Sequence, residues 1–269
     1  MHTNAITLGQ FGQLPAVHIA SADGARATVT LFGAQLVSWI TADGAEQLFC
    51  SARSALDGSR AIRGGVPVIF PQFNERGPIM RHGFARTSTW RLVDSGEDDD
   101  GSFAVFALAT ADLAPAPAAA WPHAFCLQLR VALRGAHLAL TLEVDNTGAA
   151  PFDFSAALHS YLKVAEVDAV RIDGVRADTL RIGDALDAIY GAVGDVTVAD
   201  GARVLHSAQS GFVDAVVWNP GQAASAAMAD LAADDYRHFV CVEPALIAPF
   251  TLAAGARWRG HNRLAVSAV

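Results

Sequence analysis

The sequence predicts an all-β protein, a large antiparallel β-sandwich. Apolar residues alternate with polar ones over many short runs, turn residues separate the runs, and helical periodicity is scarce. Leu127, Leu129, Val131 and Leu133 alternate with Gln128, Arg130 and Ala132. Leu138, Leu140, Leu142 and Val144 repeat the pattern, and Gly135-Ala136 between the two runs predicts a hairpin. Similar runs cover residues 27–32, 35–41, 102–109, 152–164, 212–218, 238–242 and 257–266. Asp43-Gly44, Asp173-Gly174, Asp200-Gly201 and Asn219-Pro220-Gly221 supply turns between them. One short helix is expected at 226–236, a surface loop at 114–122 and a solvated turn at 96–102. No repeat of solenoid length is present, and 269 residues fit one large β domain over 1–269.

Bulk composition excludes several function classes. With 52% hydrophobic and 17% charged residues, the chain has ample material for a core, which rules out global disorder. A net charge of −8 argues against nucleic acid as a partner, because phosphate backbones are held by excess positive charge. No run of about 18 apolar residues predicts a membrane span. The N-terminus lacks the basic and apolar regions of a signal peptide. Cys50, Cys126 and Cys241 are far apart and suit a reducing compartment. A cytoplasmic monomer that acts on a small molecule, without cofactor or metal, is expected.

Candidate functional residues fall in three segments. Residues 63–86 read RGGVPVIFPQFNERGPIMRHGFAR, and their glycines and prolines impose a shaped, non-helical path around His82. The residue alone leaves His82 open between chemistry and a loop histidine bonded to backbone. Seven arginines lie between Arg53 and Arg91 against only Asp57 and Glu75, a local excess that points to an anionic ligand. Guanidinium forks match phosphate oxygens, and Arg63 and Arg86 flank the shaped path. Pairing with acids elsewhere is the alternative for most of the seven. There is no GxxxxGK[ST] loop for a nucleotide.

Residues 152–164 read FDFSAALHSYLKV. Alternation puts Phe152, Phe154, Leu158 and Leu162 on one face and His159, Tyr161 and Lys163 on the other. That suits a cleft-lining strand or an outward surface strand equally. Glu243 ends the apolar run FVCVE before Pro244, where desolvation would raise its pKa toward values useful in a base. An ion pair with Arg237 or Arg257 is the alternative. Asp187 and Asp214 could accept sugar hydroxyls, although a turn cap suits Asp214 better.

In order along the chain, FGAQLVSW, AIRGGVPVIFPQF, HGFARTSTWRL, LHSYL, LDAIY, VVWNP and VCVEPA resemble the aldose 1-epimerase superfamily, in particular its hexose-6-phosphate mutarotase branch. The resemblance covers nearly the whole chain. It implies a β-supersandwich fold and a mutarotase that interconverts sugar anomers by ring opening and closure, most of all in a hexose 6-phosphate such as glucose 6-phosphate. By motif it makes His159 the catalytic acid and Glu243 the base. It makes His82, Arg63, Arg86 and Asp187 substrate-binding. Two positions depart from the pattern: Arg81 stands where glutamine is frequent, and Ala188 where arginine is frequent. Two other readings compete. One is a noncatalytic sugar-binding protein on the same scaffold. The other is a metal site of His82, His159 and Glu243, for which no close ligand spacing exists.

Overall fold

A computed structural model describes residues 5–201 and 203–268. The chain opens with an antiparallel meander, β1 (Ile6–Phe11), β2 (Leu14–Ala20), β3 (Arg26–Thr30) and β4 (Leu36–Ile40). A long irregular path then carries the two-residue strand β5 (Val68–Ile69). Three successive hairpins join β6 (Arg91–Asp98), β7 (Gly101–Ala109), β8 (Phe125–Arg134) and β9 (His137–Asn146). Next come β10 (Phe152–Leu158), β11 (Tyr161–Lys163), β12 (Arg171–Asp173), β13 (Leu186–Gly191), β14 (Val196–Ala199) and β15 (Arg203–Ser210). The chain closes with β16 (Asp214–Asn219), β17 (Phe239–Leu252) and β18 (Arg257–Ala268).

Two larger sheets make the sandwich. Eight strands run in the order β12-β14-β15-β18-β9-β8-β7-β6. Six form the second sheet, β13-β16-β17-β10-β5, with β11 paired to β17. Every strand pair is antiparallel, as the alternation predicts. Phe106, Leu127, Leu129, Leu142 and Val144 from the eight-stranded sheet share one buried cluster with Phe154, Leu158, Val217, Val240 and Val242 from the six-stranded one. Trp39 and Leu36 of the meander join it. Truncating a side chain such as Phe106, which is wholly buried, would cost about 3–5 kcal/mol.

The β8–β9 hairpin turns at Gly135-Ala136 as expected, with Arg134 opposite His137. Three local expectations need correction. The helix lies earlier than 226–236: α2 (Gly221–Ala227) begins where Asn219 accepts the Gly221 N–H, and extended backbone at Met228 ends it. Residues 114–122 contain the exposed helix α1 (Pro115–Ala120), not only loop. Pro115 sits at the first turn, where its missing N–H costs nothing, and alanines follow. The turn at 96–102 shrinks to Asp99-Asp100, because Glu97 pairs with Ser102 and Asp98 with Gly101. Among the described residues, no helix is long and apolar enough to cross a membrane.

Candidate active site

The period of two that builds the core also builds the site. On β17, Val240 and Val242 point into the sandwich, so Cys241 and Glu243 point out of its far side. Directly opposed residues in an antiparallel pair share a face. Asp187, Trp218, Cys241 and Tyr161 therefore form one cross-strand row over β13, β16, β17 and β11. Ile189, Val216 and Glu243 form the next row. β10 stops at Leu158, and the break brings His159 beside Glu243. The His159 N–H donates to the Pro67 carbonyl (3.0 Å), and the Val242 N–H donates to the Ser160 carbonyl (3.2 Å). The His159 ring stacks on Tyr161, with centroids 4.8 Å apart and planes within 10°.

His159 Nδ1 lies 3.3 Å from Glu243 Oε1. Neither His159 Nδ1 nor Glu243 Oε2 has a hydrogen-bond partner, although only 8% and 1% of the two residues is exposed. Burial, then Asp187, pushes the Glu243 carboxyl well above the carboxylate range, with Arg86 opposing. Burial, then His82, Arg86 and Arg63, pushes His159 well below the usual imidazole range. Both directions favour a neutral pair in the protein alone, with the proton on Glu243. The alternative ion pairs for Glu243 do not form: Arg237 pairs with Glu166 (2.9 Å), and Arg257 with Asp145 and Glu143.

His82 reaches the cleft from the irregular path. It adopts φ +66° and Gly83 φ +69°. A Cβ at Gly83 would fall 2.1 Å from the Phe70 carbonyl oxygen, so only glycine allows this crossing. The Asn74 N–H donates to His82 Nδ1 (3.2 Å), which leaves Nε2–H as the donor of the neutral ring. Burial, with Arg86, Arg81 and Arg63, holds His82 down at about 3, so the ring is neutral at physiological pH. Its centroid is 5.8 Å from that of His159.

The two arginines behave differently. Arg63 is already paired: Nη2 lies 3.0 Å from Asp230 Oδ2, and Nη1 donates to the Tyr161 hydroxyl (3.0 Å). Burial opposes its charge, but Tyr161 and Asp230 hold its pKa above the ordinary arginine value. Among the described residues, no carboxylate is bonded to Arg86. Its Nη2 donates to the Arg81 carbonyl (3.2 Å), and its buried Nε has no partner. Burial lowers it to about 10. A guanidinium held this way, beside a cleft, calls for an anion.

All six residues singled out from the sequence, Arg63, His82, Arg86, His159, Asp187 and Glu243, line one open cleft. The same cleft is lined by Arg81, Trp218 and Met228. Tyr161 and Trp218 were legible in principle: Tyr161 follows His159 by one strand period, and Trp218 shares its row with Asp187. Asp214 takes a structural role other than the expected turn cap: its Oδ2 accepts the Ile247 N–H (2.9 Å) from the neighbouring strand β17. Among the described residues, the set whose potential metal-ligand atoms lie within 4.8 Å of one another is His159, Cys241 and Glu243. His82 is not in that set, and its Nδ1 already accepts a backbone N–H, so the site of His82, His159 and Glu243 does not form as imagined.

A β-sandwich with a buried carboxyl–imidazole pair and an unpaired arginine in one cleft defines a class: acid–base chemistry on a small polar anion. Comparison with known proteins gives the family. The aldose 1-epimerase family pattern matches residues 15–200. A Cenchrus ciliaris protein named "putative glucose-6-phosphate 1-epimerase" is 35% identical over 269 residues, covering 90% of this chain and 81% of its own. One of the same name from Escherichia coli K12 is 32% identical over 241 residues, covering 82% and 79%. The crystal structure of a "putative mutarotase" from Salmonella typhimurium matches with a TM-score of 0.90 and 27% identity, over 100% of this chain and 96% of that one. The chain belongs to the aldose 1-epimerase family, and it is an isomerase.

Proposed function

We propose that the protein interconverts the α and β anomers of a hexose 6-phosphate, glucose 6-phosphate first among them. The observation that carries this reading is the juxtaposition, in one cleft, of the Glu243–His159 pair (3.3 Å) and the carboxylate-free Arg86. The names of the two relatives support the same substrate class.

In the mechanism, Glu243 takes the proton of the anomeric hydroxyl and His159 gives one to the ring oxygen. The C1–O5 bond breaks, C1=O1 forms, and the open aldehyde rotates about C1–C2. Closure on the other face reverses both transfers. Each acid or base contribution of this kind is worth roughly 10²–10⁴-fold. His82 donates Nε2–H toward a sugar oxygen and stays neutral throughout. Asp187 accepts sugar hydroxyls, and Arg86 with Arg63 holds the phosphate, so that binding energy orients the reacting end. Three free cysteines, Cys50, Cys126 and Cys241, support a cytoplasmic setting.

The test is exchange NMR between anomers of glucose, galactose and their 6-phosphates. Faster exchange of the 6-phosphates is expected. A preference for the unphosphorylated sugars would remove the phosphate from the reading. Binding without acceleration would leave a sugar-binding protein instead.

A further inference from the structure

We propose that the substrate's phosphate is an activator as well as an anchor: seated against Arg86 and Arg63, it supplies the counter-charge that lets His159 carry the catalytic proton. This rests on the mutarotase reading above.

The geometry supplies the argument. His159 faces Arg63, Arg86, His82, Tyr161 and Glu243, with Cys241 and Asp187 in the neighbouring row. Two guanidiniums therefore bear on a ring that must become cationic to act as an acid. Among the described residues, the carboxylate bonded to these two arginines is Asp230, and it serves Arg63. Arg86 feels Asp230 only at a distance and keeps a buried Nε with no partner. Its field opposes a proton on His159. A bound dianion cancels that field where it originates. Arg63 donates to the Tyr161 hydroxyl, and the Tyr161 ring stacks on His159, so cancelling both charges bears most directly on His159. The consequence reaches beyond affinity: a sugar without a phosphate should bind weakly and also meet a site whose acid is switched off.

The experiment divides the substrate into two pieces. D-Xylose is glucose without its sixth carbon, so xylose plus phosphite dianion fills the cleft without a covalent link. Xylose anomerisation is followed by exchange NMR with rising phosphite, after subtracting enzyme-free blanks, because phosphite is itself a weak base catalyst. Activation of xylose turnover by about tenfold or more is expected, the effect of one pKa unit on the protonated fraction of His159. Arg86→Gln should raise xylose turnover without phosphite and abolish the phosphite response, which loss of a simple anchor would not do. Phosphite that only competes with glucose 6-phosphate, leaving xylose turnover unchanged, overturns the activator role while the mutarotase reading stands. Glucose 6-phosphate run alongside without acceleration would sink both.

Discussion

Replacing Glu243 with glutamine removes the proposed base and almost nothing else. The carboxyl is 1% exposed, and burial with Asp187 keeps it protonated in the protein alone. The glutamine amide would have nearly the same shape and also be neutral, so no cavity opens and no buried charge is stranded. Stability should stay within about 1 kcal/mol of the parent in urea unfolding. The rate is a different matter. Losing a positioned base costs roughly 10²–10⁴-fold, or about 2.7–5.5 kcal/mol in the barrier. Phosphosugar affinity should change little, because Arg86 and Arg63 are untouched. Polarimetry on freshly dissolved α-glucose 6-phosphate gives the rate, and calorimetry gives the affinity. A variant that folds, binds and keeps a rate within about threefold of the parent would refute Glu243 as the base.

Four further outcomes are expected. His159→Gln should also lower kcat by roughly 10²–10⁴-fold in the same assay, with folding checked by circular dichroism. Arg86→Gln should raise KM for glucose 6-phosphate by about 10–100-fold, as for a charge-assisted hydrogen bond of roughly 1.5–3 kcal/mol. Gly83→Ala would drive a methyl into the Phe70 carbonyl at φ +69°; a loss of about 2 kcal/mol or more in urea unfolding, together with low activity, is expected. His82 sits at about 3 when folded against an ordinary 6.5. The folded state therefore excludes a proton that the unfolded state takes up, and stability present above about pH 6.5 is lost as pH falls toward 3. The loss has an upper bound of roughly 4–5 kcal/mol, and His82→Gln should flatten that part of the pH–stability curve.

The sandwich was legible because its signal is periodic and local. A strand buried on one face must alternate, and β8 and β9 do so over ten residues each. Short strands such as β12 and β14 carry too few residues to show a period. The helix near residue 226 was misplaced because alanine runs through the whole region. Its start is set by one side chain, Asn219, that ends the strand before it. The six site residues could be picked out by motif, but their pairing could not. Arg63 and Arg86 look alike in sequence; what separates them is Asp230, 167 residues past Arg63, which bonds to Arg63 while the Arg86 Nε stays without a partner. Likewise, the closeness of His159 to Glu243 is a product of the register of β10 and β11 on β17, where Ala157 lies opposite Ala245 and Tyr161 opposite Cys241.

That closeness sets the energetics of the proposed reaction. The active form must begin as an ion pair, with His159 protonated and Glu243 charged. Ring opening moves one proton onto Glu243 and another off His159, so the pair ends neutral. Burial disfavours the first arrangement and favours the second. The dry pair therefore assists ring opening and resists its own recharging. Closure on either face restores the ion pair at the same cost, so neither anomer is favoured and the equilibrium ratio of the free sugars is unchanged, as any catalyst requires. What the cleft can adjust is the cost of the ion pair while substrate is bound. Sugar hydroxyls hydrogen-bonded to both members lower it, and a dianion against Arg86 lowers it further on the His159 side. A fully exposed pair would ionise freely and lose the assistance to opening. A fully buried pair without arginines or substrate dipoles would stay neutral and idle. Burial beside an arginine that has no carboxylate of its own leaves the bound substrate to decide between those states.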